Sequence, residues 1–290
     1  MTQDGLAAAA AAQPVSRARA LARAAHWRLA SARDMRRAAG PNTAAWLRDR
    51  VRRRSYRLLD EAALRATRRS DTVFLFGSGR SLLDITPGEW QRIAAHDTVS
   101  FREFPRQHWV RADYHLTAEV DELDGYARRL RENPLYADSV FVVQEGWLAL
   151  YGNRLIGRRL LPQSARIFRF RRTGRGVYAP PGRCFADGLV HGFNSSISTT
   201  NFAVVMGWKR IVIVGVDLYD KGYFWLEQGE TRSYEKPGIE ARSRFTGADQ
   251  IVAVLGRWQE LLAPEGIELL VYNPRSLLAD VMPVFTWESA

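Results

Sequence analysis

The run IVIVGV at residues 211–216 constrains the fold of this chain more than any other stretch. It is continuously apolar and β-branched rather than alternating, the pattern of a strand covered on both faces, and such strands belong to parallel α/β sheets. What precedes it agrees. Asn194 or Ser195 is a good N-cap for a helix over roughly Ser196 to Met206, because a side-chain oxygen there accepts from a first-turn amide. Gly207 supplies the stop, since a left-handed residue costs little without a Cβ. In parallel sheets ligands sit beyond the carboxyl ends of the strands, which places Asp217, Tyr219 and Tyr223 at a candidate site.

Other segments extend the pattern. Val73 to Phe76 is a buried strand, followed by Gly77-Ser78-Gly79, a turn that lets backbone amides face an anionic ligand. The third glycine of a dinucleotide fingerprint is absent, because position 82 is leucine, and no lysine makes this a phosphate loop of the Walker type. Residues 97–104 read as a second strand with its loop and 112–119 as a third strand, each ending in polar residues: Arg102 and Glu103 in one, Thr117 and Glu119 in the other. A helix ends before Pro134, and 139–147 reads as another strand. Helical periodicity returns from Ala248, IELLVYNP at 267–274 is expected to be the last buried strand, and Asn273 to Ser276 return polar groups to the same sheet edge. The alternation predicts a mainly parallel sheet.

Two irregular segments interrupt it. Residues 164–192 lose periodicity and carry Arg169, Arg171, Arg172, Arg175 and Arg183, which either meet an anionic substrate or are solvated on a surface insertion. Residues 220–247, directly downstream of the central strand, are placed to act as a lid.

Charge is distributed unevenly. Residues 1–70 hold 16 arginines against 5 acidic groups, which accounts for the whole formal net charge of +11. Residues 1–15 are Ala-rich and expected to be disordered. Residues 16–70 are expected to form a basic helical hairpin, with helices near 16–38 and 43–68 broken at Gly40-Pro41-Asn42. Leu21, Ala25, Leu29 and Ala32 give the first helix a thin apolar stripe. It reads either as an interfacial helix drawn to anionic lipid or as a solvated hairpin packed on the domain or used for homo-oligomer formation. Nucleic acid ranks below both, because a basic segment without a reading element is only an electrostatic footprint. The single cysteine, Cys184, excludes an internal disulfide framework and a cysteine-based zinc cluster, and fits a cytoplasmic protein. No apolar run reaches membrane-spanning length and no secretory leader is legible, so a cytoplasmic location, peripheral to the membrane at most, is expected.

Three separated segments, GSGRSL at 77–82, NSSISTTNFAVVMGWKRIVIVGVDLY at 194–219 and NPRSLL at 273–278, share one pattern. In order and spacing they resemble the bacterial sialyltransferases of the Campylobacter type and the related domain of flagellar motility accessory factors, over about residues 71 to 285. The resemblance implies a single three-layer α/β/α nucleotide-binding domain, a GT-A-like variant, over 71–290. It implies a CMP-activated nine-carbon sugar as donor, a glycan or protein hydroxyl as acceptor, and neither metal nor cofactor. By position, Gly77, Ser78, Gly79 and Ser81 would cradle the donor phosphate or ribose, Arg102 and Thr117 would contact the donor, and Asn194, Ser195 and Ser196 would meet the cytidine and sugar. Gly215, Asn273 and Ser276 would border the cytidine pocket, with Tyr219 and Tyr223 hydrogen-bonding the leaving phosphate.

Two phenols and backbone amides can stabilise a departing phosphate without a metal, and a general base must accept the acceptor proton. Here the chain departs from the resemblance: residues 220–247 contain no histidine. His191 is the nearest substitute, with Asp217 and Asp249 behind it. Two other classes stay open: a pyrophosphokinase, which would require Mg²⁺ and paired carboxylates, and a non-catalytic nucleotide-sugar-binding scaffold.

Overall fold

The structure, a computed structural model, describes residues 39–117, 122–173, 176, 178–192, 194–219, 222–227 and 248–287. The chain divides into two units, Met1–Ala44 and Ala45–Ala290. Of the first, residues 39–44 are described and are helical. The expected disordered stretch 1–15, the helix 16–38 and its apolar stripe lie outside the described residues, as does most of the expected lid.

The second unit opens with helical backbone over 45–52 (α1) and a 3-10 turn, Arg53–Ser55. Then come β1 (Arg57–Leu59), α2 (Glu61–Arg65), β2 (Thr72–Phe76), α3 (Pro87–Ala94), β3 (Asp97–Phe101) and β4 (Tyr114–Thr117). They are followed by α4 (Leu123–Glu132), β5 (Val140–Gln144), α5 (Leu150–Gly157) and β6 (Arg166–Phe170). The chain closes with α6 (Ser195–Met206), β7 (Arg210–Val214), α7 (Ala248–Leu262) and β8 (Glu268–Val271). The eight strands form one sheet in the order β1-β6-β5-β4-β3-β2-β7-β8, and every pairing is parallel.

Side-chain alternation splits the core into two layers. Val73 and Leu75 of β2, with Ile211 and Ile213 of β7, pack towards α6 and α7, whereas Phe74, Phe76, Val212 and Val214 pack on the opposite face with Trp90 and Ile93 of α3. Further along that second face, Phe141 and Val143 meet Tyr126 and Leu130 of α4 and Leu155 and Ile156 of α5. This is a three-layer α/β/α fold. α6 is buried along its whole length, starts at an Asn194 cap and stops at left-handed Gly207, as the local sequence signals predict. α3 begins with a capping box between Thr86 and Glu89 and a proline in its first turn.

Three expectations change. The helix expected over 43–68 is broken: Tyr56 is buried and extended, Arg57–Leu59 pair with Arg166–Phe168, and the chain turns helical again only where Asp60 caps α2 by accepting from the Ala63 amide at 2.7 Å. The sheet therefore recruits residues ahead of position 71. The irregular segment 164–192 contains β6, whose Arg169 forms an ion pair with Asp49 of α1 at 2.6 Å; with both side chains nearly buried, this arginine faces a carboxylate rather than an incoming anion. Arg171 and Arg183 likewise pair with Glu145 and Glu265, and Arg175 lies outside the described residues. Finally, Gly40-Pro41-Asn42, where a break between two helices is expected, is itself helical.

Candidate functional site

Strand order locates the site. From β2 the chain builds outward on one side through β3, β4, β5 and β6, then returns through α6 to place β7 against the other side of β2. Crossover helices thus leave β2 and enter β7 on opposite faces, which makes the carboxyl ends of these two strands the topological switch point, the crevice position that ligands usually take in such sheets. The loops that meet there are Gly77–Arg80 and Gly215–Tyr219, joined by the loop after β8.

The glycines serve close approach. A Cβ at Gly77 would lie 2.3 Å from the Gly215 carbonyl oxygen, and one at Gly79 would lie 2.3 Å from Asp217 Oδ2. Gly215 has a φ of 65° and faces Leu82, where a Cβ would come within 2.7 Å. The two loops are bound to each other: the Gly77 amide donates to the Val214 carbonyl at 2.8 Å and the Gly79 amide to the Gly215 carbonyl at 2.7 Å. This corrects the expectation for the glycine turn, since both glycine amides are used within the protein rather than turned to an anion. Ser78, between them, is different. Its hydroxyl is buried and has no hydrogen-bond partner among the described residues.

Asp217 is the centre of the arrangement. Its carboxylate, 3% exposed, accepts from the Ser81 amide at 3.0 Å, the Ser81 hydroxyl at 2.5 Å and the Asn273 side-chain amide at 3.0 Å. One carboxylate therefore ties together the loops that follow β2, β7 and β8. Leu218 follows with a φ of 66°, a left-handed turn that redirects the chain and sets Tyr219, half-buried, within 3.5 Å of Asn273 Nδ2. Ser276 shapes the loop after β8: its hydroxyl donates to the Val216 carbonyl at 2.7 Å and accepts from the Leu278 amide at 3.2 Å.

Tyr223 folds back across this edge. It forms a β-bridge to Gly79, and the Phe224 amide donates to the Ser78 carbonyl at 3.2 Å. Phe224 is buried between Phe104 and Trp109, with ring centroids 6.2 and 5.2 Å away. Tyr223 stacks on Trp225 at 4.8 Å, Arg106 sits over Trp225, and Arg80 donates to the Leu226 carbonyl at 3.0 Å. The start of the expected lid is thus fastened over the glycine turn. Phe224, Trp225 and Arg80 are absent from the residues singled out by sequence; three consecutive aromatics, Tyr223-Phe224-Trp225, are the signal that marks them.

The remaining candidates share the edge but differ in surroundings. At the start of α6 the Asn194 side-chain Oδ1 accepts from the Ser196 amide at 3.0 Å and the Ser196 hydroxyl at 2.5 Å, and Ser195 and Ser196 are buried. His191 pairs through Nδ1 with the Ser198 hydroxyl at 2.7 Å. Thr117, at the end of β4, is buried and donates to the Val142 carbonyl at 3.3 Å, bracing the sheet. Arg102 is half-buried in its left-handed turn. Beside the site, Tyr272 donates to Glu89 at 2.6 Å; burial raises the tyrosine's pKa, and the carboxylate it faces raises it further. No group of three or more metal-ligating side chains occurs among the described residues.

Compared with known proteins, the chain matches no family model and no curated relative.

Proposed function

We propose that this protein is a glycosyltransferase that moves a sugar, of the nonulosonic or sialic type, from a CMP-activated donor to a glycan or protein hydroxyl. The observation that carries the proposal is the hub at the crevice between β2 and β7, where Asp217 holds Ser81 and Asn273 and thereby sets Tyr219 at the ligand edge. The reaction class comes from the resemblance of the segments 77–82, 194–219 and 273–278, each of which supplies one residue of this hub.

In this reading the acceptor oxygen forms a bond to the anomeric carbon as the bond to the CMP phosphate breaks, and the phosphate leaves with the electron pair. Tyr219 and Tyr223 donate hydrogen bonds to it as its charge develops. Ser78, whose buried hydroxyl has no partner among the described residues, would add a donor from the glycine turn. The acceptor proton goes to His191. In the tautomer whose Nδ1–H donates to Ser198, Nε2 carries the lone pair that a base requires.

A second reading, a non-catalytic nucleotide-sugar-binding protein, is favoured by one observation: Gly77 and Gly79 bind the neighbouring loop with the amides a phosphate would otherwise take. Calorimetric titration with CMP, against CDP, UDP and GDP and with and without EDTA, tests the first reading. EDTA-insensitive binding of CMP that weakens in Tyr219→Phe supports it, and absence of nucleotide binding refutes it. Binding without turnover, unchanged in His191→Ala, selects the scaffold.

A further inference from the structure

The first helix of the second unit has two opposed faces. Ala45 and Asp49, one turn apart, are buried at 5% and 3% exposure and define its inner side. Two residues on from each, and so nearly opposite on a helix of 100° per residue, stand Leu47 and Val51, at 52% and 73% exposure. Large apolar side chains at this spacing on an outward helical face lack the core-facing role that such a stripe normally has.

The charges around them have one sign. Residues 45–59 contain six arginines and a single acid, Asp49. That acid is turned inward, where it meets Arg169 at 2.6 Å. The outward arginines flank the apolar pair: Arg50 on one side and Arg48 and Arg52 on the other, with Arg54 following in the 3-10 turn, all exposed. Arg50 also lies over the Trp46 ring at 4.8 Å, which directs its stem along the helix. A few residues on, at the open edge of the sheet, Leu58 of β1 is 43% exposed beside exposed Arg57.

We propose that this face of α1, with Leu47 and Val51 at its centre, Arg48, Arg50 and Arg52 around them and Arg54 in the turn that follows, docks on an anionic lipid surface. Apolar groups in the middle of a basic face suit the boundary between acyl chains and headgroups: the aliphatic side chains enter, and the long arginine stems keep their charges among the phosphates. Another copy of the chain fits poorly, because it would bring two faces of the same positive sign together. A nucleic acid would use the arginines and leave Leu47 and Val51 against a charged backbone. Docking of this kind rests on the α1 face alone and is independent of the proposed transfer reaction. It would hold the crevice beside acceptors that are themselves membrane-borne.

The test is co-sedimentation of the full chain with vesicles of phosphatidylcholine alone or mixed with phosphatidylglycerol, at low and physiological salt. Leu47→Gln/Val51→Gln and Arg50→Gln/Arg54→Gln are compared with the parent, and circular dichroism and gel filtration are run on each. Because the four side chains are exposed, both variants should keep the parental fold. The proposal expects binding to the mixed vesicles only, weakened by salt, and reduced at least about fivefold by either pair of substitutions. It is overturned if neither protein nor variant binds the mixed vesicles, or if the Leu47→Gln/Val51→Gln protein binds as the parent does. In the latter case attraction is electrostatic only, and an acidic protein or nucleic acid becomes the better occupant. It is overturned equally by a parental dimer that the Leu47→Gln/Val51→Gln change disperses, which would make a second copy the occupant.

Discussion

Asp217 accepts two hydrogen bonds from Ser81, one from its amide at 3.0 Å and one from its hydroxyl at 2.5 Å, across a gap of 136 positions in the chain. The bonds close the loop after β2 onto the loop after β7, at the point where the sheet reverses its order of growth. A third donor, Asn273, brings in the loop after β8. A buried carboxylate supplied only by neutral donors is stable when each donor is well aimed. It leaves the crevice rim rigid, as a site that must position a ligand requires.

Asp217→Asn should therefore destabilise the fold by about 1–3 kcal/mol, because an amide group would turn its own N–H bonds towards a donor that now lacks an acceptor. Ser81→Ala removes a donor and leaves two others, so its cost should be nearer ~1 kcal/mol. Urea unfolding of both single variants and the double variant measures the coupling, which should exceed about 0.5 kcal/mol for groups in direct contact. If Asp217→Asn unfolds at the same urea concentration as the parent, the carboxylate is no hub.

Two glycines give opposite expectations from the same substitution. Gly79→Ala places a Cβ 2.3 Å from Asp217 Oδ2 and 2.9 Å from the Gly215 carbonyl oxygen, so the loops must part. A loss of about 1–3 kcal/mol is expected from the overpacking, with loss of any nucleotide binding at the crevice. Gly88, in the first turn of α3, has nothing within 4 Å of its hypothetical Cβ. Gly88→Ala should stabilise by about 0.4–1 kcal/mol through the unfolded chain. Thermal melts of the two proteins decide it, and equal shifts would show that the contact of the two loops gives way easily.

The parts of the fold that are legible in the sequence are those with local causes. Asn194, Gly207 and the apolar run after them determine α6 and β7 through capping, a left-handed stop and two-sided burial, and none of these needs a distant residue. β1 and β6 are hard to read because their determinants are distant. Arg166 and Arg169 make β6 look like a solvated basic loop, and it is chiefly the buried partner Asp49, more than a hundred positions away, that makes Arg169 acceptable in a sheet. At the site the same division holds. Asp217 and Asn273 are legible from their position at strand ends. A glycine turn reads as an anion cradle, whereas its amides go to Val214 and Gly215, a pairing set by the neighbour that β2 acquires in the sheet. The cover supplied by Phe224 follows from the aromatic wall of Phe104 and Trp109, contributed by the loop after β3.

A buried histidine outside the candidate site yields a pH prediction. His115 on β4 is fully enclosed, with Nδ1 2.7 Å from the Ser100 hydroxyl and Nε2 against the Tyr126 hydroxyl. The Tyr136 hydroxyl donates to the same Ser100 at 3.1 Å. Burial drives the imidazole from its usual 6.5 down to about 3, so it is neutral in the folded protein. The unfolded chain then takes up the proton first. The contribution of His115 to stability is complete above about pH 6.5 and is lost as pH falls towards 3, at up to about 1.4 kcal/mol per pH unit. His96 is shifted in the same direction by burial, so the comparison must isolate His115. His115→Gln keeps a donor and an acceptor but cannot ionise. It should be less stable than the parent at pH 7.5, through imperfect packing, and fall less steeply on acidification, so that unfolding free energies in urea converge between pH 6.5 and 4.5. Parallel curves would mean that the folded protein protonates this histidine as readily as the unfolded chain does, which two neutral hydroxyl partners in a dry core should prevent.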